Sequence, residues 1–315
     1  MPVEVAGTGF TVLDRVYTDA PTPAEALGGS CGNVLLSLAM LQRSVAPLLV
    51  LGIDTVGDRL VGEFAEAGAA TNLIFRRSDL ASPILAQLFE GTSSRHLFSF
   101  RCPETNSEYP RYRPIGDAEV ALAEPALRGC AVFYADRLSS SIVNAMETAR
   151  GSGAVVFFEP SDLEDAELFS RALRTVTVLK LSAESFGQNL HDLEFDPCTI
   201  RIVTHGAAGL EVSQGARRHW CAAIPAWNVL DTCGSGDMVS VGVIDHMLSG
   251  KPRSYWDIEV ILEGVLAGQR LATANCAFVG ARGIFNVLGA EFARSVLDGR
   301  AGASVCQARA PSART

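Results

Sequence analysis

Short apolar runs rich in β-branched and aromatic residues alternate with helix-length amphipathic segments along most of the chain, and this rhythm constrains the fold more than any other feature. Strand-like runs occupy residues 3–7, 46–51, 131–134, 155–159, 176–179 and 200–204. Helical patterns fill 33–41, 58–67, 139–150 and 165–173 between them. Strands apolar on both faces are buried on both, and strands joined by helices run parallel. The pattern predicts a three-layer α/β/α fold with a mostly parallel central sheet. After residue 235 the chain reads as helical, through 238–248 and 258–275.

Two segments break this rhythm. Residues 10–20 and 84–101 show partial strand alternation and are expected to pair as a small β lid outside the main sheet. Residues 102–114 read as a loop. No shift in composition marks a linker, so 1–300 is expected to be one domain carrying the lid, and the small, polar, basic stretch 301–315 a loose tail.

A chain of 315 residues buries enough core to fold without a disulfide or metal staple. Its 26 basic and 35 acidic side chains leave a formal charge of −9, the wrong sign for a general nucleic-acid binder. Apolar runs such as 45–50 and 155–158 fall far short of the ~20 residues that cross a bilayer. The opening Met1-Pro2-Val3-Glu4 shows no export leader. The eight cysteines form no C-x-x-C pair and are expected to be reduced thiols, and the five histidines show no zinc spacing. A cytoplasmic protein with neither nucleic-acid nor membrane partners is expected.

The segment with most chemical content is Asp231-Thr232-Cys233-Gly234-Ser235-Gly236-Asp237, followed at once by an apolar helical pattern. Glycines at 234 and 236 let backbone N–H groups approach a ligand, and a helix start adds unpaired N–H groups and partial positive charge. Together they suit a phosphate. An acid at Asp237 would repel that anion, unless its task is to take a proton from an attacking hydroxyl while the N–H groups steady the phosphoryl group. Read locally, Asp237 could equally be a helix-capping acid after an ordinary glycine loop.

Residues 231–237 resemble the D-T-x-G-[AS]-G-D motif of the ribokinase-like (PfkB) carbohydrate kinase family. Further segments resemble the same family in the same order. Gly28-Gly29-Ser30-Cys31-Gly32-Asn33 is similar to its G-G-x-x-x-N, and Gly52-Ile53-Asp54-Thr55-Val56-Gly57 to its G-x-D-x-x-G. Thr204-His205-Gly206-Ala207-Ala208-Gly209 is similar to its T-x-G-x-x-G, and Asp14 stands where the family has a substrate aspartate. The resemblance spans roughly residues 3 to 290.

The resemblance implies Asp237 as general base and the N–H groups of Gly234, Ser235 and Gly236 as the anion hole for the transferring phosphoryl. It implies Asp14, Gly28, Gly29 and Asn33 around the sugar hydroxyls, and Thr204, Gly206 and Gly209 beside the nucleotide. On the residues alone Asn33 could be a helix cap, Asp14 a turn residue, and 204–209 a tight turn. ATP and magnesium are the implied cosubstrate and ion, with a monovalent cation such as K⁺ near Asp231. A small sugar or nucleoside is the implied acceptor, and a homodimer through the lid a further expectation.

Two departures stand out. Where the family often has N-x-x-E, with Asn on a nucleotide phosphate and Glu placing magnesium-bound water, this chain has Ser182 in place of the asparagine and the acid one position early, at Glu184. Where many relatives have D-x-N-x-R, it has Glu159-Pro160-Ser161. Lys180 is expected to meet a phosphate or to lie in solvent. Arg101, at the end of the lid segment, is expected to face the acceptor, which would favour sugar acids. An ATP-dependent sugar kinase is the expected function. A catalytically weak or inactive sugar- or nucleotide-sensing protein on the same fold is the alternative. The chain carries no complete G-x-G-x-x-G, no G-x-x-x-x-G-K-[ST] and no G-x-S-x-G, so dinucleotide, P-loop and hydrolase-elbow readings lack support.

Overall fold

The computed structural model describes residues 2–17, 22–90, 95–161, 165–186, 196–226, 228–250 and 257–301. In chain order, the first half carries β1 (Val5–Thr8), β2 (Val12–Tyr17), β3 (Ala24–Gly28), α1 (Ser30–Met40), β4 (Val45–Pro47), β5 (Leu49–Gly52) and α2 (Thr55–Glu66). There follow β6 (Ile74–Arg77), β7 (Ile84–Glu90), β8 (Arg95–Ser99), α3 (Asp117–Gly129), β9 (Val132–Ala135), α4 (Ser140–Gly151) and β10 (Val155–Phe158). The second half adds α5 (Ala166–Leu173), β11 (Val178–Ser182), α6 (Ala183–Phe186), β12 (Ile200–Thr204), β13 (Gly209–Gln214) and β14 (Arg217–Ala222). It closes with α7 (Ser235–Ser249), α8 (Ile258–Asn275), α9 (Gly283–Leu288) and α10 (Ala290–Leu297).

Eight strands form the main sheet in the order β14-β13-β12-β11-β10-β9-β1-β4. Pairing is parallel from β12 to β4 and antiparallel only through β13 and β14. Successive residues feed opposite faces, as strand geometry requires. Val132 and Tyr134 of β9, with Val155 and Phe157 of β10, join the core beneath α1, α7 and α8. Phe133, Ala135, Val156 and Phe158 join a second core beneath α3, α4 and α5. The expected three-layer α/β/α architecture is therefore present.

A separate four-stranded sheet, β3-β2-β7-β8, forms the lid from the two segments that broke the rhythm, with β3 as an additional edge. Strands β2 and β7 run parallel, and each pairs antiparallel with its outer neighbour.

The run at 46–51, expected as one strand, is two. Strand β4 lies at the edge of the main sheet, where Pro47 can end the ladder without leaving a neighbour unpaired. Past Leu48, β5 pairs with β6 in a two-stranded sheet of its own. The hairpin β13–β14 was not anticipated. The tail expected at 301–315 lies, beyond Ala301, outside the described residues. Among the described residues no helix is long and apolar enough to cross a membrane.

Candidate active site

Helix α7 begins where the glycine loop ends, against the lid and the carboxyl ends of the sheet. Its N-cap, Gly234, takes a left-handed backbone (φ 72°), and a Cβ there would fall 2.5 Å from that of Ala281. Only glycine fits both demands. Asp231 locks the loop from behind: its Oδ1 accepts the Cys233 N–H (2.8 Å) and its Oδ2 the Gly280 N–H (2.7 Å). The Ser235 N–H donates to the Thr232 carbonyl at 3.2 Å. Among the described residues, no hydrogen bond to another protein group is found for the N–H groups of Gly234, Gly236 and Asp237. The N–H groups left free at this turn are thus those of Gly234, Gly236 and Asp237, whereas that of Ser235, expected in the anion hole with Gly234 and Gly236, is taken up by Thr232.

Asp237 sits in the first turn of α7 and is buried. Its Oδ2 accepts from Asn33 Nδ2 at 2.7 Å, so α1 and α7 meet through this bond. Asn33 Oδ1 in turn accepts from buried Arg282. Burial pushes the Asp237 carboxyl up to about 7, helped by the charge of Glu159 and opposed by the Asn33 hydrogen bond and by Lys180. Such a carboxyl is poised to accept a proton near neutral pH.

Lys180 is buried and paired with Glu159. Glu159 Oε2 is held further by Ser240 Oγ (2.7 Å) and the Tyr134 hydroxyl (3.2 Å). The Lys180 ammonium lies 3.5 Å from where a Cβ on Gly236 would stand, against the turn whose N–H groups are free. Of the two readings open for Lys180, the solvated one is excluded by burial.

Asp14, on β2 of the lid, faces the same space. Burial raises its carboxyl to about 7, with Arg282 opposing the rise and Asp237 adding to it. Gln87 contacts this carboxyl, but among the described residues its Oδ1 has no hydrogen-bond partner. A buried polar atom without a partner is costly and calls for a ligand group. Gly28 allows the fit, since a Cβ there would stand 1.8 Å from Asp14 Oδ2.

These groups enclose a cavity of about 780 Å³, within the range of small-molecule sites. Asp14, Gly29, Asn33, Gly234, Ser235, Gly236 and Asp237 line it; Gly28 lies behind Asp14. Residues Leu85, Gln87 and Phe98 of the lid strands cover it, so the 84–101 segment closes over the cavity as expected. Arg101 does not line it. Its side chain is exposed and its Nη2 donates to Glu108 Oε1 at 3.0 Å, across the backbone bridge between the two residues. The expectation that Arg101 faces the acceptor is corrected.

A second group gathers at the carboxyl ends of β11 and β12. Ser182 and Thr204 are register partners, and Gly206 and Gly209 bound the turn that follows, closed by the His205 N–H donating to the Gly209 carbonyl (2.8 Å). None of these lines the Asp237 cavity. Glu184, expected near magnesium, is exposed on α6 and is also outside it.

The sequence reading missed Arg282, Gln87, Arg111 and Arg137. A signal existed for the first two: each is a lone polar residue in an apolar run, which implies a buried, partnered group. Arg137 follows the carboxyl end of β9, where ligands bind in open α/β sheets. Arg111 carried no such mark.

The fold and the site define an α/β protein whose glycine-capped helix presents a buried acid to a lidded cavity. The model of the pfkB family carbohydrate kinases matches residues 10–255, and the chain belongs to that family. Its fold is shared with a fructokinase with bound ATP from Xylella fastidiosa (TM-score 0.70, 20% identity, covering 94% of this chain and 98% of that one). It is shared also with an aminoimidazole riboside kinase from Salmonella enterica, complexed with aminoimidazole riboside and an ATP analog (TM-score 0.68, 17% identity, 98% and 100% covered). A stretch of 67 residues is 39% identical to the Bifunctional protein HldE of Mesorhizobium japonicum (strain LMG 29417 / CECT 9101 / MAFF 303099). That stretch is 19% of this chain and spans only 13% of the length of that protein.

Proposed function

We propose that the chain is an ATP-dependent kinase that phosphorylates a hydroxyl of a small sugar or sugar-like acceptor. The observation that carries this reading is the meeting of a buried acid, Asp237, with free backbone N–H groups in one covered cavity, with the buried Lys180 just behind Gly236. Asp237 takes the proton of the acceptor hydroxyl on its carboxylate. The N–H groups of Gly234, Gly236 and Asp237, with Lys180 behind them, offset the charge on the transferring phosphoryl. Asp14 and Asn33 orient the acceptor by accepting and donating hydrogen bonds, and the lid strands exclude water. Ser182, Thr204, Gly206 and Gly209 form a ledge for the nucleotide.

The residues present suit a phosphate through the N–H edge and Lys180. Magnesium, when bound, would neutralise charge on the nucleotide's phosphates. Among the described residues no three His, Cys, Asp or Glu side chains converge, so phosphate oxygens would supply most of its ligands. Asp231 is the acid nearest the glycine loop's backbone for a monovalent cation, although both its oxygens already hold N–H groups.

The test is ADP release from ATP and magnesium across a panel of sugars, sugar acids, sugar phosphates and nucleosides. Acceptor-dependent ADP release supports the kinase. Tight nucleotide or sugar binding with no ADP release from any member would favour the sensing protein, which the changes at Ser182 and Glu184 would then explain.

A further inference from the structure

We propose that the acceptor carries an anionic group, a phosphate or a carboxylate, that is held by Arg111 and Arg137. This rests on the kinase reading for the word acceptor, but the anion site itself stands on the cavity alone.

Both arginines line the cavity that contains Asp14, Asn33 and Asp237. The Arg137 guanidinium lies over the Phe10 ring, 4.4 Å from its centroid. The Arg111 guanidinium lies over the Phe100 ring at 4.7 Å. The two rings meet edge to face at 6.3 Å, so cation, ring, ring and cation form one row along the cavity wall. A guanidinium stacked on a ring keeps its N–H edge free, and that planar edge matches a carboxylate or phosphate.

Among the described residues the charge of Arg111 is unanswered, and that of Arg137 is met in part by Asp136, whose backbone carbonyl also accepts from Arg137 Nη1 at 2.9 Å. Among the described residues, Arg111 makes no hydrogen bond and no ion pair. Arg137 has one carboxylate near it, Asp136, at 3.5 Å. The Asp136 oxygens are already occupied by the N–H groups of Phe10 (2.7 Å) and Cys31 (2.9 Å). Deeper in the cavity the Arg282 charge acts on Asp14, and the Lys180 charge, shared with Glu159, on Asp237. Burial also raises both carboxyls to about 7, which weakens their claim on further positive charge. A neutral polyol would need none of this. In a chain with a formal charge of −9, an unpaired Arg111 beside an Arg137 whose one carboxylate also holds two backbone N–H groups points, under one lid, to a ligand that brings further negative charge. The outward-facing Arg101 does not contribute.

The experiment titrates the full-length protein calorimetrically with matched sets: ribose, ribose 5-phosphate and ribonate; glucose, glucose 6-phosphate and gluconate; fructose and fructose 6-phosphate. A charged member binding at least ~10-fold tighter than its neutral twin is expected, as one charge-assisted contact supplies. Phosphates and acids in the sets separate the two sources of charge. Arg111→Met and Arg137→Met should each lower that affinity ~10-fold or more, leaving the neutral twin and a non-hydrolysable ATP analogue within ~3-fold. Arg137→Lys should recover part of the loss. Preference for no charged member in any set overturns the proposal. So does an Arg137→Met variant that weakens the ATP analogue as much as the sugar anion, because the arginine then serves the nucleotide. Selective anion binding without ADP release would sink the kinase reading and leave the anion site intact.

Discussion

The two halves of the site are built in opposite ways. The cavity around Asp237 is made of side chains brought from far apart: Asp14 from the lid, Asn33 from α1, Asp237 from α7 and Arg282 from the start of α9. The ledge at the ends of β11 and β12 is made of neighbours, a register pair and one turn, and offers mainly backbone. Every site ATP kinases share must accept the same polyphosphate, for which repeating N–H groups suffice. An acceptor differs from enzyme to enzyme and must be read by specific donors and acceptors. Under the function proposed above, the contrast gives chemistry and selectivity to the first region and nucleotide affinity to the second.

The largest effect is expected from Asp237→Asn, which keeps the Asn33 contact geometry and removes the proton acceptor. The rate constant kcat should fall by ~10²-fold or more, with nucleotide affinity retained. Near-wild-type kcat on the true acceptor would end the assignment. Because the wild-type carboxyl lies at about 7, kcat/KM should climb as pH rises through 7, when the proton leaves. A flat profile between pH 6 and 8 would contradict that assignment of the base.

Next come Asp14→Ala and Asn33→Ala. Each should raise KM for the acceptor by ~10-fold or more while KM for ATP moves less than ~3-fold. Asn33→Ala should also lower kcat, since it releases Asp237. Equal changes in both KM values would dissolve the division between the regions.

The ledge is probed by Gly209→Ala. Its φ of 131° is unfavourable for a side chain, and a Cβ would stand 2.3 Å from the Cys221 carbonyl oxygen. KM for ATP should rise several-fold with KM for the acceptor unchanged. An acceptor-specific defect would reverse the roles given to the two regions.

The smallest effect concerns stability. The Asp14 carboxyl titrates near 7 in the fold against 3.8 unfolded, so its burial penalty is absent below about pH 4 and fully present above 7. Asp14→Asn should therefore melt ~2–5 °C higher than wild type at pH 8 and about the same at pH 4. A variant that is less stable at pH 8 would show that Asp14 is held by contacts rather than merely tolerated.

Much of this was legible beforehand, for definable reasons. The sheet and its layers follow from apolar periodicity, and the loop at 231–237 from contiguous glycines and acids. The lid showed itself as a lapse in the helical rhythm. What escaped was long-range. Arg282 meets Asn33 across 249 positions, and nothing local to either residue announces the other. The split of 46–51 depended on which strands stand beside β4 and β5, a property of the assembled sheet. Arg101 and Arg111 lie ten positions apart, and the first pairs with Glu108 outside the cavity that the second lines, a difference that nothing in their spacing announces.

Asp136 has a mechanical consequence. One buried carboxylate grips the Phe10 N–H just before β2 and the Cys31 N–H at the start of α1, so both sides of the lid's root are fastened to the end of β9. A flap fastened in this way behaves as a cantilever and not as a door: it opens by flexing along its length, and its travel grows with distance from the root. Strand β8, the outermost, would sweep furthest, while Asp14 near the root keeps its place whether or not an acceptor is bound. Amide hydrogen exchange reads this directly, with β8 expected to exchange fastest in the lid and the amides of Phe10 and Cys31 among the slowest. Uniform exchange across the four strands would mean that the whole sheet swings from its root after all.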